Sequence, residues 1–182
     1  MRIEDAVVQV DKLFDTLLVE RIINYINFIK LDNMSVFGGI DTNIRNVMGR
    51  HLIGQNMTDV VLFKCIANEI FKILPNYFAK FPKLSLTNVN QIDLLKYKEG
   101  GKYEIHEDSG QGSRRSLTCI INLNEGYEGG DLVIYDSFYK NEIKRLKLKH
   151  RSTLFFPSNF LYPHRIEPIK SGTRYSVVAW LE

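Results

Sequence analysis

In the tripeptide His106-Glu107-Asp108, an imidazole and a carboxylate are two residues apart. In a strand, residues i and i+2 point to the same face, so His106 and Asp108 would converge while Glu107 points away. A third ligand must come from elsewhere, and His164 suits this role because it lies between two β-rich runs. Two histidines and one carboxylate suit a non-haem Fe(II) ion with open positions for a bidentate 2-oxo acid and O2. Catalytic zinc stays possible on this spacing alone.

A charged residue also lies in the last β-rich run of the chain. In the predicted strand, four residues share one face: Arg174, Ser176, Val178 and Trp180. An inward-pointing arginine is costly to bury unless it is paired, and a ligand carboxylate held by two N–H groups is its natural partner. This face therefore offers a carboxylate clamp, a hydroxyl group and a large aromatic side chain.

This part of the chain resembles the prolyl 4-hydroxylase type of Fe(II)/2-oxoglutarate-dependent dioxygenase. The pattern Y-x-x-G-x-x-Y-x-x-H-x-D occurs here as Tyr97, Gly100, Tyr103, His106 and Asp108. The resemblance continues through RSLTCIINLN (115–124), EGGDL (128–132), LFFPS (154–158), His164 and GTRYS (172–176). It implies a double-stranded β-helix core. It also implies decarboxylation of 2-oxoglutarate to succinate and CO2, coupled to hydroxylation of a substrate by O2.

The resemblance implies roles for individual residues of this sequence. His106, Asp108 and His164 match the iron ligands, and Arg174 matches the basic residue that binds the distal carboxylate of 2-oxoglutarate. Tyr97 matches a tyrosine that helps to hold this cosubstrate. Asp108 favours hydroxylation, because related halogenases lack a carboxylate at this position. Support of the reaction by ascorbate is a further trait of the family.

Four more positions are expected to complete the sites for cosubstrate and substrate. Ser176 and Trp180 would line the cosubstrate site from the face that carries the arginine. Asn122 stands where some relatives have a tyrosine that contacts 2-oxoglutarate; because asparagine is shorter, this contact would be lost or mediated by water. Arg115 and Trp180 match positions near a peptide substrate.

The elements that position these residues follow from the apolar pattern. It predicts helices over 16–28, capped by Asp15 or Thr16, and over about 59–78, capped by Thr58. The stretch from Leu31 to about Met57 is polar and contains glycine. Short β-rich runs follow at 92–97, 103–106, 115–123, 131–135, 143–148, 153–156 and 174–181.

This spacing predicts an α+β fold that is mainly β, with a double-stranded β-helix (jelly-roll) core and N-terminal helices packed on one side. We expect a single domain over 1–182. Within it, residues 1–90 would form a helical support region and residues 91–182 the dioxygenase core.

Composition narrows the cellular setting and the partners. Net charge is only +3, which argues against nucleic acid as a partner. Cys65 and Cys119 each lie in an apolar run, which predicts buried, reduced thiols. The N-terminus lacks the apolar segment of a signal peptide, and no apolar run reaches the roughly 18 residues of a membrane span. We therefore expect a cytoplasmic protein without a membrane partner.

Three functions are consistent with this sequence. The first is hydroxylation of prolyl residues in a peptide or protein. The second is the same chemistry on a small molecule or an alkylated nucleobase; nucleic-acid demethylases usually carry a second arginine after the cosubstrate arginine, and 175–182 contains none. The third is a non-catalytic jelly-roll binding module, which the intact motif disfavours. Release of succinate in the presence of peptides would distinguish them.

Overall fold

The computed structural model of the chain describes residues 2–36, 38–110 and 112–182. The helices in these ranges are α1 (Thr16–Phe28), α2 (Met57–Ile73) and α3 (Pro75–Phe78), and a 3-10 turn (Ile3–Ala6) precedes the first strand. The strands are β1 (Val8–Val10), β2 (Asp32–Asn33), β3 (Arg45–Asn46), β4 (Met48–His51), β5 (Val89–Tyr97), β6 (Lys102–His106), β7 (Leu117–Asn122), β8 (Glu128–Gly129), β9 (Leu132–Tyr135), β10 (Glu142–Leu146), β11 (Thr153–Pro157), β12 (His164–Ile166), β13 (Ile169–Ser171) and β14 (Arg174–Leu181).

Two antiparallel sheets form the body of the fold. The major sheet has the order β1-β11-β7-β14-β5-β4-β2, and the minor sheet has the order β10-β9-β12-β6-β3. Strands β13 and β8 form a separate pair. Neighbouring strands in each sheet are mostly distant in sequence, as in a jelly roll. The predicted fold class, a mainly β double-stranded β-helix with N-terminal helices, is confirmed.

Adjacent residues of the major sheet face two different cores because side chains alternate along a strand. Leu94 packs in the outer core against the helices, whereas Leu95 packs in the inner core between the two sheets. The outer core also contains Ile22, Ile26, Ile66, Ile70, Ile121 and Val177. The inner core also contains Ile120, Leu132, Ile134, Phe156 and Ile166. The helices therefore cover one face of the major sheet and leave the other face for a cavity.

The two long helices begin at side-chain caps. The carboxylate of Asp15 accepts a hydrogen bond from the backbone N–H of Leu18 at 2.7 Å, so the predicted start of α1 is confirmed. Helix α2 begins earlier than predicted, because the side chain of Asn56, and not that of Thr58, accepts from the N–H of Asp59 at 2.8 Å. It ends at Ile73, where the following proline lacks the N–H that would continue the helix.

The description of residues 1–90 as helical support needs correction. Strand β1 forms one edge of the major sheet, β4 and β2 form the other, and β3 pairs with β6 of the minor sheet. These strands are two to four residues long and leave no periodic pattern in the sequence. The N-terminal half therefore contributes to both sheets as well as to the helical layer. The boundary at residue 90 stays a prediction.

Two further expectations have different outcomes. Cys119 is buried, but Cys65 is exposed on α2, so the prediction that both thiols are buried is wrong for Cys65. Among the described residues, none of the helices combines the length and the hydrophobicity that crossing a membrane requires. The cytoplasmic location stays a prediction.

Candidate active site

His106, Asp108 and His164 meet at one end of the minor sheet. His106 ends β6 and His164 begins β12, and the register of these paired strands puts the two histidines directly opposite each other. Asp108 lies on a bend after β6, so strand alternation was the wrong reason for its convergence with His106. One potential ligand atom from each residue lies within 4.8 Å of the others. The structure thus brings the three predicted ligands together.

The hydrogen bonds of the two imidazoles fix which nitrogen is free. Nδ1 of His106 lies 2.8 Å from the carbonyl oxygen of Glu104, and Nδ1 of His164 lies 3.1 Å from that of Tyr162. Because a carbonyl only accepts, each Nδ1 carries the proton and donates it. The lone pair of each neutral ring is therefore on Nε2, at 3.7 Å (His106) and 3.5 Å (His164) from the carboxylate oxygens of Asp108. Metal-binding histidines use this arrangement.

Asp108 is held as a carboxylate. Its Oδ2 accepts a hydrogen bond from the Thr118 hydroxyl at 2.7 Å, and that hydroxyl is 2.8 Å from the hydroxyl of Ser158. Burial alone would raise the pKa of Asp108, but His164, His106 and Thr118 together hold this pKa well below its usual range. Burial lowers the pKa of His164 to about 4, and the nearby ring of His106 adds to this because two protonated imidazoles would repel each other. One anion and neutral imidazoles suit a divalent cation.

Arg174, the first residue of β14, is almost completely buried, with 1% of its surface exposed. Its Nε donates to Oδ1 of Asn122 at 3.1 Å. Its two terminal nitrogens have no hydrogen-bond partner among the residues that the structure describes. A buried guanidinium without a counter-charge is costly, and two parallel N–H groups match a carboxylate. The unpartnered nitrogens therefore fit the carboxylate of a bound anion.

Asn122 lies behind Arg174 and does not line the cavity. Its Oδ1 also accepts from the hydroxyl of Tyr127 at 3.0 Å, and its amide nitrogen donates to the carbonyl of Asn124 at 2.7 Å. A contact of Asn122 to the cosubstrate, expected to be lost or mediated by water, therefore stays a prediction. Asn122 fixes the orientation of the guanidinium, because its donors and acceptor are already used within the protein.

One cavity, which we call the inner cavity, joins the histidine–aspartate cluster to Arg174. Three other predicted residues line it: Tyr97, Ser176 and Trp180. The ring of Tyr97 lies 5.3 Å from the guanidinium carbon of Arg174. The hydroxyl of Ser176 and the indole N–H of Trp180 are buried and have no partner within the described part of the chain. The cavity therefore presents several polar groups that a ligand could satisfy.

Arg115 lies beside this cavity, at its mouth. Its guanidinium stacks 3.8 Å above the ring of Trp180 and donates to the backbone carbonyl of Asp108 at 3.0 Å and to the side chain of Gln91 at 2.8 Å. Arg115 thus supports the bend that carries Asp108. It also forms part of the surface that an incoming substrate would meet.

Two residues of the inner cavity, Tyr103 and Arg45, had no role assigned from the sequence. The ring of Tyr103 stacks on that of His106 with their centroids 3.5 Å apart, and the guanidinium of Arg45 lies 4.6 Å from the centre of the Tyr103 ring. Tyr103 belongs to the motif, but its spacing is also typical of an ordinary strand residue and assigned it no role. Arg45 lies in the polar stretch before α2, where nothing in the sequence indicates that β3 joins the minor sheet.

These residues fit an Fe(II) ion and a 2-oxo acid. Two imidazole nitrogens and one carboxylate form the donor set that non-haem iron prefers. Within the described ranges no fourth histidine, cysteine or acidic residue joins this group, so coordination positions would remain for other ligands. The unpartnered guanidinium of Arg174 in the same cavity supplies the counter-charge for the far carboxylate of such an acid.

Comparison with known proteins agrees with this chemistry. The sequence profile of the 2OG-Fe(II) oxygenase superfamily matches residues 92–182, half of the chain. A PKHD-type hydroxylase of Gloeothece citriformis is 37% identical over 100 residues, which cover 52% of this chain and 43% of that protein. A PKHD-type hydroxylase of Acaryochloris marina is 33% identical over 144 residues, covering 77% of this chain and 59% of that protein. The chain thus spans less than two thirds of the length of these relatives.

Solved structures share the fold. A prolyl hydroxylase from Trichoplax adhaerens, in complex with a peptide of the hypoxia-inducible factor oxygen degradation domain, has a TM-score of 0.79 at 17% identity, with 97% of this chain and 83% of that one covered. A Pseudomonas putida prolyl-4-hydroxylase has a TM-score of 0.74 at 20% identity, with 97% and 92% covered. At these identities the likeness establishes the fold only. The profile match over half of the chain shows that it belongs to the 2OG-Fe(II) oxygenase superfamily.

Proposed function

We propose that this chain is a 2-oxoglutarate-dependent dioxygenase that hydroxylates prolyl residues in a peptide or protein. The observation that carries the proposal is Arg174, whose unpartnered terminal nitrogens share one cavity with His106, Asp108 and His164. A structural arginine would have its counter-charge within the protein. A cavity that combines a metal-binding triad with an unpaired guanidinium suits a bidentate 2-oxo acid.

The residues of the chain would divide the work of binding and positioning. His106, Asp108 and His164 would hold Fe(II), which when bound supplies the oxidation of a substrate C–H bond coupled to decarboxylation of 2-oxoglutarate. The hydroxyl of Thr118 donates to the carboxylate of Asp108 and would fix its orientation. Arg174 would bind the far carboxylate of 2-oxoglutarate. Leu95, Ile120 and Val178 line the same cavity and would exclude water from the reacting groups.

Two observations support a prolyl substrate. The relatives are PKHD-type hydroxylases, and one solved neighbour binds a peptide. Arg115 and Trp180 stack at the mouth of the cavity, where an extended peptide could lie across them. A proline-rich segment is already close to polyproline II, so its binding costs less ordering entropy than that of a flexible chain.

A small molecule or an alkylated base is the second candidate class of substrate. Ascorbate as a supporting reductant stays a prediction.

The test measures succinate and product together. The full chain is incubated with Fe(II), 2-oxoglutarate, ascorbate and a panel of peptides that contain proline, alongside matched peptides with alanine in its place. We expect succinate release and the gain of one oxygen atom on proline only. Asp108→Ala is the control for oxidation without enzyme. Succinate release that only an amino acid or an alkylated base stimulates would favour the second class. Peptide binding without any succinate release would favour the non-catalytic module.

A further inference from the structure

A second cavity opens next to the inner one, and we call it the entrance cavity. Its lining includes His51, Gln91, Asp93 and Arg115. It shares Arg45, Tyr103, Asp108 and Trp180 with the inner cavity, so the two are contiguous. Any substrate that reaches the metal-binding triad through this opening would contact the residues of the entrance cavity. The hydrogen-bond donors and acceptors of these residues that have no partner therefore influence which substrate can bind.

Asp93 is the most unusual of these residues because it is a half-satisfied buried carboxylate. It is 1% exposed and lies in β5 opposite His51 of β4. One oxygen, Oδ1, receives both of its hydrogen bonds: His51 Nδ1 lies at 2.7 Å, and Gln91 Nε2 donates at 2.9 Å. The other oxygen, Oδ2, has no partner among the residues that the structure describes. His51 and Gln91 hold the carboxylate in place and leave one acceptor unused.

Asp59 of the same chain shows how a buried aspartate is paired when its role is purely structural. Asp59, in the first turn of α2, is fully buried, and both of its oxygens are used: Oδ1 accepts from Tyr25 at 2.7 Å and Oδ2 from Arg50 at 2.6 Å. Only one oxygen of Asp93 accepts hydrogen bonds, by contrast, and its side chain lines a cavity. Since an unpaired buried acceptor costs folding free energy, its retention beside the candidate active site points to a ligand that pairs with it.

An unused donor lies on the same face of the major sheet. The register pairs Asp93 with Val178 and Gln91 with Trp180, so Asp93 and Trp180 are diagonal neighbours, within reach of an aromatic side chain. The indole N–H of Trp180 is buried and lacks an acceptor within the described residues. The entrance cavity therefore presents one unused acceptor and one unused donor close together.

We propose that Asp93 and Trp180 form a subsite that binds one amide-containing residue of the substrate. The substrate N–H would donate to Oδ2 of Asp93, and the substrate C=O would accept from the indole N–H of Trp180. In an extended residue these two groups point to the same side, as they do in a strand pair. His51 and Gln91 act through Asp93 as positioning residues. The inference rests on the proposed function, because it assigns the recognition of a peptide-like substrate to this cavity.

The test uses Trp180 as its own reporter, since it is the single tryptophan of the chain. The full chain is loaded with Zn(II) and 2-oxoglutarate, which permits binding without turnover. Tryptophan fluorescence is then titrated with acetyl-Ala-Pro-Ala methylamide and with the same peptide methylated at every amide nitrogen. We expect the wild type to bind the methylated probe at least about tenfold more weakly, since a hydrogen bond to a charged group is lost.

The variant Asp93→Asn should weaken binding of the first probe by about tenfold or more and remove most of the difference between the two probes. The matched control is Asp131→Asn, which makes the same change at a carboxylate that lines neither cavity and lies 3.6 Å from Arg145. It should leave the binding of both probes unchanged. The variant Trp180→Phe, followed by calorimetry, should weaken the first probe and keep the aromatic surface.

The inference is overturned if the wild type binds neither probe, if it binds both equally, or if Asp93→Asn preserves the difference between them. The comparison of probes on the wild type needs no variant, so misfolding of Asp93→Asn would not remove the test. Failure of the proposed function looks different: the wild type would then fail to bind 2-oxoglutarate in the presence of Zn(II), whatever the probes do.

Discussion

Two arginines on opposite faces of the major sheet show how the same side chain can serve two purposes. On the outer face, Arg50 reaches under the helices and pairs with the buried carboxylate of Asp59 at 2.6 Å. On the inner face, Arg174 is buried more deeply, yet only its Nε has a partner among the described residues. The charge of the first is neutralised within the protein, and that of the second is not. Arg50 therefore stabilises the fold, whereas Arg174 is available to bind an anion.

The difference extends to the surroundings of each charge. The outer carboxylate also accepts from the hydroxyl of Tyr25, and the cap residue Asn56 contacts the same hydroxyl, so this cluster is tied to both helices. The inner guanidinium contacts the cavity through the two nitrogens that remain unpartnered. Removing one partner of a buried ion pair leaves an uncompensated charge, whereas neutralising a charge that has no counter-charge removes a cost. The two sites should thus respond oppositely to substitution.

The largest effect is expected at the histidine–aspartate cluster. His164→Ala removes a proposed metal ligand whose other ring nitrogen is fixed by a backbone carbonyl. We expect this variant to lose all measurable succinate release and to bind Fe(II) with strongly reduced affinity, because only two protein ligands remain. Its thermal unfolding should stay cooperative. Activity close to that of the wild type would show that His164 does not bind the metal.

The variant Arg174→Met tests the inner arginine. Loss of a desolvated ion pair typically costs about 3–5 kcal/mol, so the apparent Kd for 2-oxoglutarate should rise several hundred-fold or more. Without 2-oxoglutarate, the free energy of unfolding should stay equal or increase, since an uncompensated buried charge is gone. Calorimetric titration and urea unfolding measure the two quantities. Unchanged affinity would mean that the carboxylate binds elsewhere.

The variant Asp59→Asn is the counterpart on the outer face. It leaves Arg50 without its counter-charge, so the free energy of unfolding should fall by about 3 kcal/mol. The affinity for 2-oxoglutarate of the protein that remains folded should not change, because the major sheet lies between this cluster and the cavity. If Asp59→Asn weakened 2-oxoglutarate binding while Arg174→Met destabilised the apo protein, the contrast between the two faces would not hold.

The same contrast explains what the sequence could reveal. Strand β14 was predicted with correct ends, and its alternation placed Arg174, Ser176 and Trp180 on one face, where all three line the inner cavity. A long strand and a charged residue within it leave a local signal. The polar cluster of the outer face left none, because Arg50 lies in β4, a strand too short to show alternation, and Asp59 is a single acidic residue in the first turn of α2.

Residues that act through long-range pairing could not be found by local patterns. Asp93 reads as one polar position in an apolar run, and only the register of β4 with β5 reveals its pairing with His51. Asn122 was expected near the cosubstrate, but the neighbouring carbonyls and Tyr127 use its amide group and direct it toward Arg174 instead. Such roles depend on which strands become neighbours, and sequence spacing carries little of that information.

The smallest expected effect concerns the pair of Asp93 and His51. In its pairing, Asp93 is intermediate between Asp59 and Arg174, because one of its oxygens is paired and the other is not. The hydrogen bond to Asp93 raises the pKa of His51, although burial and the charges of Arg45 and Arg115 oppose it. A raised pKa means that the protonated imidazole stabilises the fold. This contribution is fully present below the ordinary histidine pKa of about 6.5 and is lost as pH rises through the higher pKa of the folded state.

The variant His51→Gln should therefore cost more stability in mild acid than in mild base. Because the side chain of His51 is 41% exposed, solvent screens the pair and the difference should be at most about 1 kcal/mol. Urea unfolding of wild type and variant at about pH 5.5 and about pH 9 brackets the transition. Effects of other titrating groups cancel when the two proteins are compared at each pH. A difference that does not change with pH would show that His51 is not paired with a charged Asp93. The carboxylate would then depend on Gln91 alone for its orientation.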